Sequence, residues 1–149
     1  MDNRSLPDYG ALVLRVTLGV MFLAHSVYLK AFVFTLSGTA QFFQSIGLPG
    51  PLAYIVFAAE AVGGVLLILG WRTRIVAAAL VPVLLGATWA HWDAGWLFTN
   101  KGGGWEYPLF LAFAAAAQAL LGAGAWALDG DADLGRTNAV PISVRRGAA

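Results

Sequence analysis

Long stretches that are almost entirely apolar constrain this chain more than any other feature. The clearest begins at Tyr107, because no charged residue lies between Glu106 and Asp129. A helix that crosses a membrane needs about 20 consecutive, mostly apolar residues. Three further stretches of this kind come earlier, and the predicted spans are Gly10–Lys30, Pro51–Gly70, Arg74–Trp92 and Tyr107–Leu128. The sequence therefore predicts an all-α integral membrane protein that folds as a bundle of four transmembrane helices.

The composition agrees with a membrane protein and excludes several other classes. Hydrophobic residues make up 59% of the 149 residues and charged residues only 11%, whereas a soluble domain is about 25% charged. A net charge of +1 provides no basic face that could neutralise many phosphates, so a partner nucleic acid is excluded. Because the chain has no cysteine, it offers no thiolate nucleophile, disulfide relay or iron–sulfur ligand of its own.

The connections and the positive charges predict how the helices are arranged. A short helix at the membrane interface is expected within residues 31–50, between the first and second spans. Residues 1–129 are predicted to form the transmembrane domain and residues 130–149 a polar cytoplasmic tail. One side of the membrane would hold Lys30 and Lys101, and the other side would hold Arg4, Arg15, Arg72, Arg74, Arg136, Arg145 and Arg146. The positive-inside rule then places both termini in the cytoplasm.

Two histidines are predicted to lie at the same depth, near the outer leaflet. With a rise of about 1.5 Å per residue, His25 lies about 24 Å above Tyr9, and His91 about 25 Å above Arg74. Glu106 enters the fourth span at or slightly above this level, and Lys30 lies about one turn beyond His25. If the first, third and fourth spans meet, these four side chains can form one cluster.

Several interpretations of this cluster remain open. Two histidines on different helices can ligate a haem b, and two histidines with one carboxylate can hold a metal ion. The cluster can also bind the polar head of a quinone, with His25, His91 and Glu106 as proton donors or acceptors. The structural alternative is that both histidines form hydrogen bonds with loops or interfacial water and have no chemical role.

Glu60 lies near the centre of the second span, where an unpaired carboxylate would be very unfavourable. Arg15 is its predicted partner, because the two residues lie about 9 Å and 15 Å from the inner ends of their helices. The first interpretation is a buried ion pair that locks the first two spans together. The second is a carboxylate that carries protons between the outer cluster and the inner side.

The connection before the fourth span is rich in glycine and tryptophan. Residues 102–104 are three consecutive glycines, which suit a flexible or tightly turned cover over the helix end. Trp96 and Trp105 are candidates for the apolar wall of a substrate site. The alternative is that they belong to the aromatic belt found at membrane interfaces.

The sequence motifs of this chain resemble those of the DoxX family of small four-helix membrane proteins. The motifs that carry the resemblance span residues 11–129 and occur in a specific order. They are Arg15-x3-Gly19 with Phe22, His25 and Lys30; Gly47-Leu48-Pro49; Glu60-x2-Gly63-Gly64; Leu69-Gly70 and Thr73-Arg74; Ala87-Thr88 and His91; Gly103-Gly104-Trp105-Glu106-Tyr107-Pro108-Leu109; and Leu121-Gly122-x-Gly124 with Leu128-Asp129. The chain departs from the family pattern at two positions. Ser26 stands where the family often has glycine, and Ala127 stands where the family usually has serine.

The resemblance implies a multi-pass protein of the bacterial plasma (inner) membrane that takes part in a redox system. The family is linked to quinol oxidation and to thiosulfate:quinone chemistry. We therefore expect a membrane subunit of a redox system that binds a quinone or a similar small redox molecule near the outer leaflet. His25, His91 and Glu106 would bind or protonate the head group, and Lys30 would favour its anionic form.

Two alternatives from other functional classes remain. The chain can be a non-catalytic membrane anchor or assembly partner for a soluble enzyme, or a small carrier or channel formed by an oligomer. Its expected partners are the lipid bilayer and either further copies of itself or other redox subunits.

Overall fold

The computed structural model describes residues 4–129, and every regular element in that range is helical. The predicted tail over residues 130–149 lies outside the described residues. The helices are α1 (Leu6–Leu23), α2 (Leu36–Ser45), α3 (Leu52–Leu69), α4 (Thr73–Ala90) and α5 (Glu106–Leu121). A π-helical continuation of α1, Ala24–Val33, is called here the π segment.

Within residues 4–129, three helices are long and apolar enough to cross a membrane. They are the continuous helix Leu6–Val33, with 28 residues, and α3 and α4, with 18 residues each. α5 is apolar but has only 16 residues, so it is about 24 Å long, less than the hydrocarbon thickness of about 30 Å. Large apolar side chains face outward even on this shorter helix, where Phe110, Phe113 and Leu120 are 69%, 69% and 79% exposed. Such a surface suits a bilayer, and the chain is a multi-pass membrane protein.

Local sequence signals set the ends of α1 and α3. α1 begins with a capping box in which the Asp8 carboxylate accepts hydrogen bonds from the Ser5 amide and hydroxyl, at 2.7 and 2.8 Å. These bonds satisfy a donor that the first helical turn would otherwise leave free. α3 ends at Gly70, whose φ of +71° is a left-handed conformation that glycine adopts without steric cost.

Small residues allow α1 and α3 to pack closely. A Cβ added at Gly19 would lie 2.7 Å from the carbonyl oxygen of Gly64, so only glycine fits at this crossing. Close approach of helices through small residues is typical of membrane bundles. The buried core lies between α1, α3, α4 and α5 and consists of Leu18, Phe22, Leu67, Ala77, Leu80, Leu84, Ala112 and Ala115.

The predicted end of the fourth span, at Leu128, differs from the structure. α5 ends at Leu121, and residues 122–129, called here the return segment, fold back across the end of the bundle opposite α2. The amide of Ala125 donates to the carbonyl of Asp8 at 2.9 Å, and the amide of Leu128 donates to that of Leu69 at 3.1 Å. Residues 122–128 of the return segment carry no charge and are mostly glycine and alanine, so hydropathy alone did not separate them from the helix.

The short helix expected between the first two spans is present as α2. Its N-cap is Thr35, whose hydroxyl accepts a hydrogen bond from the Gly38 amide at 3.1 Å. This helix lies against α3 and the π segment, at the end of the bundle called here the α2 end.

Candidate functional site

Arg15 is almost completely buried, with 1% of its surface exposed, and all its partners are backbone carbonyls. Its two terminal nitrogens join the C-terminal turn of α3 to the return segment. Nη1 donates to Leu67 and Ile68 at 3.2 and 3.0 Å, and Nη2 donates to Ala125 and Trp126 at 3.1 and 3.4 Å. The C-terminal turn of a helix carries partial negative charge, so the carbonyls of Leu67 and Ile68 stabilise the guanidinium.

The predicted ion pair between Arg15 and Glu60 is therefore wrong, because the cation that binds Glu60 is Lys30. Glu60 accepts a hydrogen bond from the ammonium of Lys30 in the only ion pair found within residues 4–129. The physical reason is side-chain direction, because the Cα–Cβ bonds of a helix tilt toward its N-terminus. In the antiparallel helices α1 and α3, this tilt points Lys30 and Glu60 toward each other. It points Arg15 toward the opposite end of the bundle.

The Lys30–Glu60 pair is largely withdrawn from solvent. The side chains of Lys30 and Glu60 are 19% and 7% exposed, and Glu60 lies midway along α3. Ionisable groups at such depth are costly and usually mark a functional position. The pair neutralises both charges inside the membrane-spanning part of the protein.

His25 lies in the first turn of the π segment with one ring nitrogen engaged. Its Nδ1 lies 2.9 Å from the carbonyl oxygen of Met21. A carbonyl can only accept, so we assign the proton to Nδ1, and Nε2 of the neutral ring then carries a free lone pair. No further hydrogen bond reaches His25 from the described residues. The ring stacks on Tyr107, with centroids 5.8 Å apart and planes at 28°.

His25 and Lys30 lie one π-helical turn apart in the first helix. In a π-helix the backbone hydrogen bond joins residues five apart, as in the 2.8 Å bond from the Phe34 amide to the Leu29 carbonyl. His25 and Lys30 are five residues apart, and they contact different helices, at Tyr107 of α5 and Glu60 of α3. In an α-helix they would be separated by about 140° around the axis.

His91 is the C-cap residue of α4, and its ring, like that of His25, forms a hydrogen bond with a backbone carbonyl. Its Nδ1 lies 2.9 Å from the carbonyl oxygen of Gly102, so Nδ1 again carries the proton and Nε2 is the free acceptor. The ring stacks on Phe42 of α2, with centroids 6.4 Å apart and planes at 24°. His91 thus connects α2 with the loop over residues 91–106.

Glu106 and the tryptophans order that loop. The Glu106 carboxylate accepts a hydrogen bond from the Phe98 amide at 3.0 Å. Trp105 stacks on Trp92 at 4.8 Å and meets Trp96 edge-on at 4.5 Å. These contacts make the loop a compact aromatic cluster at the α2 end.

The structure divides the expected single cluster into three parts. His25 contacts Tyr107, Lys30 binds Glu60, and His91 and Glu106 bind the backbone of the loop. No hydrogen bond or ion pair joins His25, His91 and Glu106 to one another in the part of the chain that the structure describes. In the same residues no group of three potential ligands is suited to hold a metal ion.

The sequence analysis missed Tyr107 as a partner of His25. Tyr107 also donates its hydroxyl to the sulfur of Met21 at 3.6 Å, so the ring is held on both sides. An aromatic residue at the start of an apolar helix is normally attributed to the membrane interface. The one sequence signal for the arrangement of this site was the five-residue spacing of His25 and Lys30. That spacing corresponds to one helical turn only in a π-helix, so it could not be interpreted before the π conformation was known.

Comparisons with known proteins agree with the motifs. The sequence model of the DoxX family matches residues 10–92. This match includes His25, Lys30, Glu60 and His91, and it ends before Glu106. A curated relative from Bacillus subtilis (strain 168), "Putative oxidoreductase CatD", is 45% identical over 85 residues.

The relative is matched over part of its length only. The aligned region is 57% of this chain and 60% of CatD, so the chain covers less than two thirds of the relative. No solved structure matches the chain.

Proposed function

The chain belongs to the DoxX family, and on that premise we propose that it is a membrane subunit of a redox system which binds a quinone or a similar small redox molecule. The proposal rests chiefly on one observation, the free Nε2 lone pair of His25 inside a membrane-spanning helix, five residues before Lys30. Its support from relatives is the description of CatD as an oxidoreductase.

His25 and Lys30 have complementary roles toward the ring of a quinol. Nε2 of His25 accepts the hydrogen bond of a hydroxyl group, and it takes the proton when that hydroxyl is oxidised. Imidazole suits this task because its pKa lies near neutrality in water. The ammonium of Lys30 stabilises negative charge on the oxygen that has lost its proton.

Glu60 and Tyr107 complete this proposed site. Glu60 balances the charge of Lys30 while no anion is bound, because an unpaired ammonium in the membrane would be unfavourable. The flat face of Tyr107 holds the imidazole plane and offers an aromatic surface beside it.

The residues of the outer loop form the proposed entrance to the site. His91 has a free Nε2 of its own, and Glu106 holds the loop from within. Trp96 and Trp105 supply apolar walls at the level where a head group would pass. We propose that His91 and Glu106 exchange protons with water on this side.

The proposed membrane placement follows the charge distribution. The α2 end faces the outside of the bacterial plasma membrane, both termini lie in the cytoplasm, and α5 crosses as a fourth, shorter span. In this proposal the oxidant of the quinol is an oxidised redox group on a partner subunit, which takes up the electrons while His25 takes up the proton.

Quinone binding can be tested directly on the purified protein. We would reconstitute it in lipid nanodiscs, add decylubiquinone and measure the bound molecule by native mass spectrometry and by titration. The His25→Asn variant keeps a donor for the Met21 carbonyl but lacks the Nε2 acceptor. It should fold normally and bind about tenfold more weakly, the loss expected for one hydrogen bond of about 1.4 kcal/mol.

Asp93→Asn serves as the control, since Asp93 lies on the exposed turn after α4 and should not affect binding. Wild-type protein that retains only phospholipid and does not bind the probe would contradict the proposal. It would favour the membrane-anchor alternative.

A further inference from the structure

Three buried polar atoms at the end of the bundle opposite α2 have no hydrogen-bond partner among residues 4–129. They are Nε of Arg15 on α1, Oγ1 of Thr73 at the start of α4 and Oε1 of Gln118 near the end of α5. Their residues are 1%, 2% and 0% exposed. Leaving a buried polar atom unpaired is costly, and nearly all such atoms in native proteins are paired with protein or with ordered water.

The three side chains lie at the same level of the bundle. Each is one helical turn from a residue of the apolar core, on the side of the core away from α2. The pairs are Arg15 with Leu18, Thr73 with Ala77, and Gln118 with Ala115. Residues three or four apart share one face of an α-helix, so the three side chains point to the same interior as the core. They form a layer at its end, called here the polar layer.

The return segment closes the polar layer from the side opposite the core. Nε2 of Gln118 donates to the carbonyl of Gly122 at 2.5 Å, and Nη2 of Arg15 donates to the carbonyl of Ala125 at 3.1 Å. Two members of the layer thus hold the same segment. The third, Thr73, begins its helix shortly after the C-terminal turn of α3, to which Arg15 also donates. The polar layer therefore lies enclosed between the core and the return segment.

The hydrogen-bonding characters of the three atoms are complementary to one water molecule. Nε of Arg15 can only donate, Oε1 of Gln118 can only accept, and the hydroxyl of Thr73 can do either. The orientation of the Gln118 amide is fixed, because turning it would set its oxygen against the carbonyl oxygen of Gly122. A water molecule can accept from Arg15 and Thr73 and donate to Gln118, which are the about three hydrogen bonds typical of buried water.

A small anion fits the polar layer less well than water does. Arg15 and Thr73 could both donate to an anion, but the Gln118 oxygen would repel it. We propose that the polar layer is a binding site for an ordered water molecule that bridges Arg15, Thr73 and Gln118. With this water, Arg15 and Gln118 hold the return segment without leaving a buried donor or acceptor unpaired. The site lies on the other side of the core from the Lys30–Glu60 pair, and it does not rest on the proposed function.

X-ray radiolytic footprinting of the protein in lipid nanodiscs detects bound water directly. Ionisation of a bound water molecule releases a hydroxyl radical, which oxidises neighbouring side chains even where bulk solvent has no access. Leu67 and Leu80 are a matched pair of probes, since both belong to the core and are 0% and 2% exposed. The carbonyl of Leu67 accepts from Arg15, so Leu67 lies beside the polar layer. Mass spectrometry should find Leu67 oxidised and Leu80 unchanged.

Transfer into water enriched in oxygen-18 measures how long the bound water stays, because the label on Leu67 then takes up the heavy isotope as the water exchanges. Thr73→Val removes one of the three hydrogen bonds, about 1 kcal/mol, so exchange should become about fivefold faster. Thr88→Val is the matched control. The hydroxyl of Thr88 already donates to the carbonyl of Leu84 at 2.8 Å, so this variant should leave the exchange rate unchanged.

Several results would overturn the proposal. One is equal oxidation of the two leucines, or no oxidation of Leu67. Another is an exchange rate that is the same in Thr73→Val and in the wild type. Oxidation of Leu67 that occurs only after gluconate replaces chloride would show that the layer binds an anion instead. If Thr73→Val fails to fold, Gln118→Met, which removes the acceptor for the water, should abolish the oxidation of Leu67 and decides the question.

Discussion

The guanidinium of Arg15 lies 3.1 Å from the carbonyl oxygen of Ala125, a residue 110 positions further along the chain. This contact fastens the return segment to the first helix. The same side chain binds the C-terminal turn of α3, so a single buried cation joins three parts of the fold.

Removing this cation should destabilise the bundle. Arg15→Met removes a donor from four carbonyl groups, of which that of Leu67 still accepts from the Gly70 amide, and we expect a loss of about 3 kcal/mol in the free energy of unfolding. Arg15→Lys keeps the charge but lacks the planar fork, so its loss should be intermediate. Unfolding in mixed micelles, followed by circular dichroism, measures both variants. An unchanged midpoint for Arg15→Met would contradict this role.

Two glycine substitutions should have opposite effects. Gly70→Ala places a Cβ at a φ of +71° and against Nη1 of Arg15 and the backbone of Ala127, so it should cost about 2 kcal/mol. Gly86→Ala has no atom within 4 Å of the new methyl group and should be neutral or stabilising by up to about 1 kcal/mol. The same unfolding assay compares them. Equal stabilities would show that the contact at Gly70 is unimportant.

Tyr107 should matter through its ring more than through its hydroxyl. Tyr107→Phe loses only the weak hydrogen bond to Met21, and its affinity for decylubiquinone should stay near that of the wild type. Tyr107→Leu removes the stack on His25, worth about 0.5–1.5 kcal/mol, and should weaken binding by about 2- to 10-fold. Titration in nanodiscs distinguishes the two. A larger loss in Tyr107→Phe than in Tyr107→Leu would contradict this assignment.

Asp129 should stabilise the start of α4. Its carboxylate accepts a hydrogen bond from the Arg72 amide at 2.6 Å, in the manner of a helix cap. Asp129→Ala should therefore cost about 1 kcal/mol in unfolding free energy. Asp93→Ala, a matched change at an exposed aspartate, should have little effect. The prediction fails if the two variants lose the same stability.

Helix positions could be predicted because membrane helices must satisfy their own backbone groups and be apolar along their length. Both properties are local, so the predicted second span, Pro51–Gly70, differs from α3 by one residue at each end. The end of α5 could not be predicted in the same way. Gly122 leaves the helix with a φ of +89°, and the return segment is held by bonds to α1 and α3 that no local pattern records.

The candidate site, like the fold, could be predicted only in part from the sequence. Depth along each helix placed His25 and His91 at one level, but it could not show that the two rings have separate partners, and it paired Glu60 with Arg15. Depth was measured along the axis from Cα positions, whereas the partner of a long side chain depends on the direction of its Cβ and on the distance it can reach. The choice between Arg15 and Lys30 was therefore outside the reach of helical spacing.

By itself, the sequence determined that this protein is helical, lies in a membrane and belongs to the DoxX family, because apolar length, charge and motif order are properties of the chain alone. Only the tertiary structure decided which cation neutralises Glu60, which ring supports His25 and where the last helix ends. The reason is that each of these depends on contacts between segments distant in the chain.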